Sequence, residues 1–224
     1  MARARKNKPL PKTILLVVEG ETERIYFERL KAFERYSTLR IKPDLPKHSN
    51  LTTLLDYAKK EKNSKAYDYV WILFDRDVLL TQKLPKTTLD LINKPEKLKS
   101  QGIDIADSMP CFEIWFLLHY CLPKQTYQNQ DKLIEELCKH IPNYCKNQEW
   151  LDKNDIYSML KDKIDTALKN SETLRERNKN ADSSDYSMCN VDLLIEKIQE
   201  LGKQRESNLC QTQKDSSKQT LKNI

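Results

Sequence analysis

Two short apolar runs, each broken off by acid, constrain this chain more than any other feature. Ile14-Leu15-Leu16-Val17-Val18 stops at Glu19-Gly20, and Tyr69-Val70-Trp71-Ile72-Leu73-Phe74 stops at Asp75-Arg76-Asp77. Runs of this length, rich in β-branched and aromatic residues and without polar alternation, read as parallel strands buried on both faces. Between them, Tyr26, Leu30 and Phe33 fall on one helical face after a helix start near Glu21-Thr22, and Thr38 to Ile41 reads as a further strand. Leu51, Leu54, Leu55 and Ala58 recur at helical spacing. A helix is expected over much of Lys86 to Ser100, with Pro95 as a possible break, and Ile103 to Ala106 reads as a fourth strand. Alternating strand and helix predicts an α/β core with a mostly parallel four-stranded sheet and helices on its faces.

The pattern changes after Pro110. Cys111 to Tyr120 is apolar and aromatic, as in a buried helix. Leu133, Ile134, Leu137 and Ile141 mark another. Ile156, Met159, Leu160, Ile164, Ala167 and Leu168 mark a long amphipathic one, and Val191, Leu194, Ile195, Ile198 and Leu201 the last. Asn178 to Asn190 is polar and reads as a loop. The expected organisation is a basic flexible arm over 1–12, an α/β core over 13–110, a helical C-terminal part over 111–202 packed on the core, and a disordered tail over 203–224.

Composition narrows the function classes. The chain has 224 residues, 38% hydrophobic and 32% charged, enough to bury a core without disulfides. No stretch approaches the ~18 apolar residues of a spanning helix, and the first apolar run is too short for an export signal, so no membrane is expected and a cytoplasmic location is. That location keeps the six cysteines reduced. Cys138, His140 and Cys145 lie close in sequence, but no tight C-x-x-C pair and no evident fourth ligand support zinc. The net charge of +6, with Arg3, Arg5, Lys6, Lys8 and Lys12 ahead of the first acid, permits contact with nucleic acid. The same arm also reads as a solvated terminus.

In open α/β sheets, ligands bind beyond the carboxyl ends of the strands. If the two acid-terminated strands are neighbours, Glu19 meets Asp75 and Asp77 there. Residues two apart in an extended segment point the same way, so Asp75 and Asp77 reach one point. Clustered carboxylates repel one another, and a divalent cation relieves that repulsion. Oxygen ligands alone favour Mg²⁺ or Mn²⁺, and such an ion suits phosphodiester chemistry. Asp75 and Asp77 are the expected ligands. Glu19 is a ligand or the general base, and Glu113, with Glu23 as a weaker candidate, would complete a second metal position. Each acid also has a plain structural reading: Asp75 as a helix cap, Asp77 paired with Arg76, Glu21 and Glu23 favouring a helix N-terminus. Glu113 stands inside an apolar segment and needs either the site or a cation such as Arg76 or Arg24. His119 reads as a core histidine, and Trp115 as core rather than a stacking platform.

These motifs resemble a Toprim domain, in which an apolar strand ends in Glu-Gly, here Val17-Val18-Glu19-Gly20, and a later strand ends in D-x-D, here Phe74-Asp75-Arg76-Asp77. With Val18-Glu19-Gly20-Glu21-Thr22-Glu23 and Met109-Pro110-Cys111-Phe112-Glu113-Ile114-Trp115-Phe116-Leu117-Leu118-His119, the chain more narrowly resembles the RloB family over about residues 12–200. The resemblance implies a Toprim-like fold related to the nuclease part of overcoming-lysogenisation-defect proteins. It also implies a phage-defence or restriction-linked setting beside a partner ATPase. Asn180-Ala181-Asp182-Ser183-Ser184 departs from the Asn-Pro-Ser-Thr-like residues common before the last helix of that family.

The expected function is therefore an Mg²⁺-dependent nuclease acting on DNA or RNA. The alternative is a non-catalytic binding subunit of an ATPase complex. Glycine occurs only at 20, 102 and 202, which leaves no Walker A motif, so any ATP-driven step belongs to another protein. Nucleotidyl transfer is a third reading, but the chain is small for a priming apparatus, and no tyrosine nucleophile domain is identifiable for a topoisomerase.

Overall fold

The computed structural model describes residues 12–35, 39–44, 50–124, 126–127, 129–179 and 187–203. The chain runs β1 (Lys12–Val18), α1 (Glu21–Glu34), β2 (Leu39–Asp44), α2 (Leu51–Asn63), β3 (Tyr69–Asp75), α3 (Val78–Thr81), α4 (Lys86–Asn93), α5 (Glu96–Lys99) and β4 (Ile103–Met109). It continues through α6 (Glu113–Leu118), α7 (Gln130–Leu137), α8 (Gln148–Lys153), α9 (Ile156–Leu160), a 3-10 turn (Lys161–Lys163), α10 (Ile164–Asn178) and β5 (Met188–Cys189). A last helix, α11, covers 191–203.

The sheet order is β2-β1-β3-β4-β5. The first four strands are parallel, as expected, with Val17 opposite Ile72 and Phe74 opposite Asp107. The fifth, β5, is antiparallel to β4 and pairs Cys189 with Ser108. It is too short for a periodic signal and lies where the sequence reads as loop.

Side-chain alternation explains the layers. Ile14, Leu16 and Val18 of β1, with Trp71 and Leu73 of β3, face a core that also holds Tyr26 and Phe27 of α1, Phe112 to Leu118, Leu133, Tyr157, Leu174 and Leu194. Leu15, Val17, Val70, Ile72 and Phe74 face the other side, onto α2 and the α3–α5 segment. The helical part after Pro110 is therefore one covering layer of the sheet, sharing its core. Each fully buried residue of β1 contributes about 1.5–3 kcal/mol through burial. Trp115 is core: its Nε1 donates to the Tyr26 hydroxyl at 2.9 Å, with both groups buried.

The helix over Lys86 to Ser100 is interrupted at Pro95, the break its sequence indicates, into α4 and α5, because proline lacks the amide a continuous helix needs. Several expectations shift. The long helix expected from Ile156 is α9, a 3-10 turn and α10. The break lets Tyr157 of α9 pack against Tyr26 and Phe33 while Asn170 of α10 reaches the Leu118 carbonyl. Phe33, placed by periodicity on the buried face, is half exposed. Lys12 belongs to β1, where it pairs with Asp68 at 2.8 Å. Of the described cysteines, Cys111 and Cys189 are buried, Cys121 and Cys138 half-buried and Cys145 exposed. The arm over 1–11, the departure at 180–184 and the tail from 204 lie outside the described residues. Among the described residues, no helix is long and apolar enough to cross a membrane.

Candidate active site

Three neighbouring strands deliver acid to the same end of the sheet. β1 hands over to Glu19 and then, in the first turn of α1, to Glu23. β3 ends in Asp75, with Asp77 two residues on, and β4 leads into Glu113 at the start of α6. Because β1 lies beside β3, Glu19 Oε2 accepts the backbone N–H of Asp75 at 3.0 Å. The carboxylates of Asp77 and Glu19 feel one another, and those of Glu19, Glu23 and Glu113 all act on Asp75.

The route by which Asp77 arrives differs from the sequence expectation. The chain is not extended through Asp75-Arg76-Asp77: it turns at Arg76, and Asp77 takes helical dihedrals at the N-cap of α3. Arg76 is drawn out of the site, its guanidinium bonding Asp107 Oδ2 at 2.9 Å and its amide the Ser108 carbonyl at 2.8 Å. Arg76 therefore pairs with neither Asp77 nor Glu113. Arg24, the other cation expected for Glu113, pairs with Glu21 and Glu28 on the surface of α1.

Glu113 is fully buried and takes its partners from the segment between α7 and α8. The Tyr144 hydroxyl donates to Oε1 at 2.9 Å, and Lys146 Nζ lies 3.2 Å from Oε2. Lys146 Nζ also reaches Gln130 Oε1 at 3.3 Å and Asp75 Oδ2 at 3.7 Å. Asn143, with a left-handed φ of 63°, turns the chain just before Tyr144, a conformation asparagine adopts at low cost. Tyr144 and Lys146 are the residues of this cluster to which the sequence does not point. Lys146 is one of 39 Lys and Arg residues, and it sits in a loop with no periodicity. The buried Glu113 announced that some cation existed, but not which.

Two oxygens in this cluster are buried without a donor: Glu23 Oε2 and Asp75 Oδ1. Glu23 folds back against the turn, so that a Cβ at Gly20 would meet its Oε2 at 2.8 Å. The absent side chain at position 20 is what lets the carboxylate sit there. Burial raises Glu23 to about 7, opposed by Lys146 and reinforced by Glu113 and Glu19. Asp75 is pushed well above the usual aspartate range, first by burial and then by Glu23. Burial likewise raises Glu19 and Asp77. Burial works against a charged Lys146, but Glu113 and Asp75 together hold it above the ordinary lysine range.

Among the described residues, no three His, Cys, Asp or Glu side chains are gathered to hold a metal ion as they stand. The Lys146 ammonium and the Asp75 amide already occupy oxygens of Glu113, Asp75 and Glu19. The donor set nonetheless fits a hard cation: all oxygen, mutually repelling, with two buried oxygens lacking any partner. His119 is buried, with Nδ1 2.8 Å from the Trp115 carbonyl, and burial lowers it to about 4. It stands apart from these acids as a core residue.

The family model for RloB-like proteins matches residues 14–198, which is most of the chain and includes every acid named above. The chain belongs to the RloB-like family. No curated protein and no solved structure matches it. The match to the RloB-like family begins within β1 and ends within α11, so the family unit spans the sheet and its helical cover together.

Proposed function

We propose that this RloB-like chain is a Toprim-type nuclease, dependent on Mg²⁺ or Mn²⁺, that hydrolyses phosphodiester bonds of DNA or RNA. In this reading it is an anti-phage defence effector working beside a partner ATPase. The observation that carries the hydrolytic reading is the pair of buried, donorless oxygens on Glu23 and Asp75, inside a cluster whose one close ammonium among the described residues is that of Lys146. Glu23 and Asp75 would hold the ion, with Asp77 beside them. When bound, the ion polarises phosphate oxygens and lowers the pKa of an attacking water. Glu19 would act from a fixed position: Asp75 N–H holds Oε2, and Oε1 would be the atom to take a proton from an attacking water. Lys146 remains partly exposed and supplies positive charge to a phosphate oxygen. Tyr144 and Glu113 act as positioning residues by orienting Lys146.

The test is cleavage of DNA and RNA substrates with Mg²⁺, Mn²⁺ or chelator. Metal-dependent cleavage lost in the Asp75→Ala, Asp77→Ala variant is expected; undiminished cleavage in that variant defeats the reading. The second reading is a non-catalytic subunit of an ATPase complex, and the contacts of Lys146 with Glu113 and Asp75, a cation supplied by the chain itself, favour it. Cleavage that appears only when a co-purified ATPase is added would separate a silent site from no site at all.

A further inference from the structure

The acidic cluster is not uniform. One half is filled. Both oxygens of Glu113 are taken, Oε1 by Tyr144 and Oε2 by Lys146, and Lys146 Nζ also faces Gln130 Oε1 and Asp75 Oδ2. The other half lacks donors: Asp75 Oδ1 and Glu23 Oε2 are buried with no hydrogen-bond partner, and the charges of Glu19 and Asp77 act close by. Asp75 therefore has one oxygen facing an ammonium and the other buried without any donor, as a carboxylate able to bridge two cations would. In two-metal phosphodiesterases, paired ions stand about 3.5–4 Å apart across such groups. Here one of those positions already holds charge that belongs to the chain.

We propose that the site takes a single divalent cation, bound on the Glu23 and Asp75 side, and that the Lys146 ammonium serves as its permanent second cation. This rests on the metal-dependent reading above and adds its stoichiometry. With its acids ionised, the cluster of Glu19, Glu23, Asp75, Asp77 and Glu113 carries five negative charges, of which Lys146 and one divalent ion neutralise three. A second ion would have to displace Lys146 from Glu113 and would strand that ammonium in a half-buried place.

Counting bound Mn²⁺ tests this directly, by electron paramagnetic resonance of free ion and by titration calorimetry on the full chain. The wild type is expected to bind one Mn²⁺. Lys146→Met is expected to bind two, because Glu113 then needs a cation. Glu113→Gln with Lys146→Met, which removes both partners, is expected to return to one. Two ions on the wild type overturn this inference and leave the metal-dependent reading standing. None on the wild type overturns both. Should Lys146→Met fail to fold, the wild-type and double-variant counts still decide the matter, since a double variant binding two ions also contradicts the proposal.

Discussion

Glu19 reaches from the end of one strand to the backbone of the next, its Oε2 accepting the Asp75 N–H at 3.0 Å. The bond joins the two acid-terminated segments at the point where β1 and β3 stop pairing. Glu19→Gln can keep an oxygen on that amide but cannot take a proton from water. Near-native melting with nuclease activity reduced by about 100-fold or more, the scale of a lost general base, is the expected result. A melting temperature that collapses along with activity would show that Glu19 is structural.

The buried pair of Glu113 and Lys146 governs stability. Lys146→Met leaves a carboxylate fully buried with the Tyr144 hydroxyl and the Cys111 thiol, both neutral, as its remaining close partners. A loss of about 3 kcal/mol is expected, as for buried pairs broken on one side. Glu113→Gln combined with Lys146→Met should cost clearly less than the sum of the single changes. Urea denaturation of the four proteins closes this cycle, and additive effects would contradict the pairing.

Stability should depend on pH in an unusual direction. Glu23 is raised from an ordinary 4.5 to about 7, first by burial, and Asp75 and Glu19 shift the same way. In that window the native state holds protons that the unfolded chain has released. Stability from these groups is therefore fully present below the unfolded value and is lost as pH rises through the folded one. The urea midpoint of metal-free protein should fall between about pH 4.5 and pH 7, and saturating Mn²⁺ should flatten the slope by binding the native state. A midpoint that rises across this window would contradict the assignment.

For the same reason, Glu23→Gln should raise the melting temperature of metal-free protein while weakening Mn²⁺ binding by at least tenfold. Like charge is removed from a cluster that has too much of it, and the cation loses a ligand. Differential scanning calorimetry and titration calorimetry give the two readings. A variant that binds Mn²⁺ as well as wild type would exclude Glu23 as a ligand.

Away from the acids, Asn143→Val should cost about 1–2 kcal/mol, since a β-branched residue is strained at a φ of 63°. Asn143→Gly should be tolerated. Because this turn delivers Tyr144 and Lys146, the valine variant should also lose activity beyond its stability loss, measured well below its melting temperature.

Much of this arrangement is legible in the residues. Ile14 to Val18 and Tyr69 to Phe74 are continuous apolar runs because both faces of a central strand are covered, and that pattern gives the parallel core without further information. The meeting of Glu19 with Asp75 follows from the same logic once the strands are neighbours. What escapes is non-local or too short. β5 offers two residues, Met188 and Cys189, and no period can be read from two. The turn at Arg76 depends on Asp107 across the sheet, a partner that spacing cannot reveal. Lys146 meets Glu113 across 33 positions, and nothing in the intervening loop marks it among the other lysines.

The sheet and its helical cover are fastened at the far edge as well. Asn190 donates to Asp107 Oδ1 at 2.7 Å, and Arg175 of α10 binds both Asn190 and Asp192. Severing the chain near Pro110 would leave one fragment carrying Glu19, Glu23, Asp75 and Asp77 without the Lys146 ammonium, which would stay with Glu113 on the other. The first piece could not balance its own acids, so the two parts of the RloB-like unit are tied by charge as much as by packing.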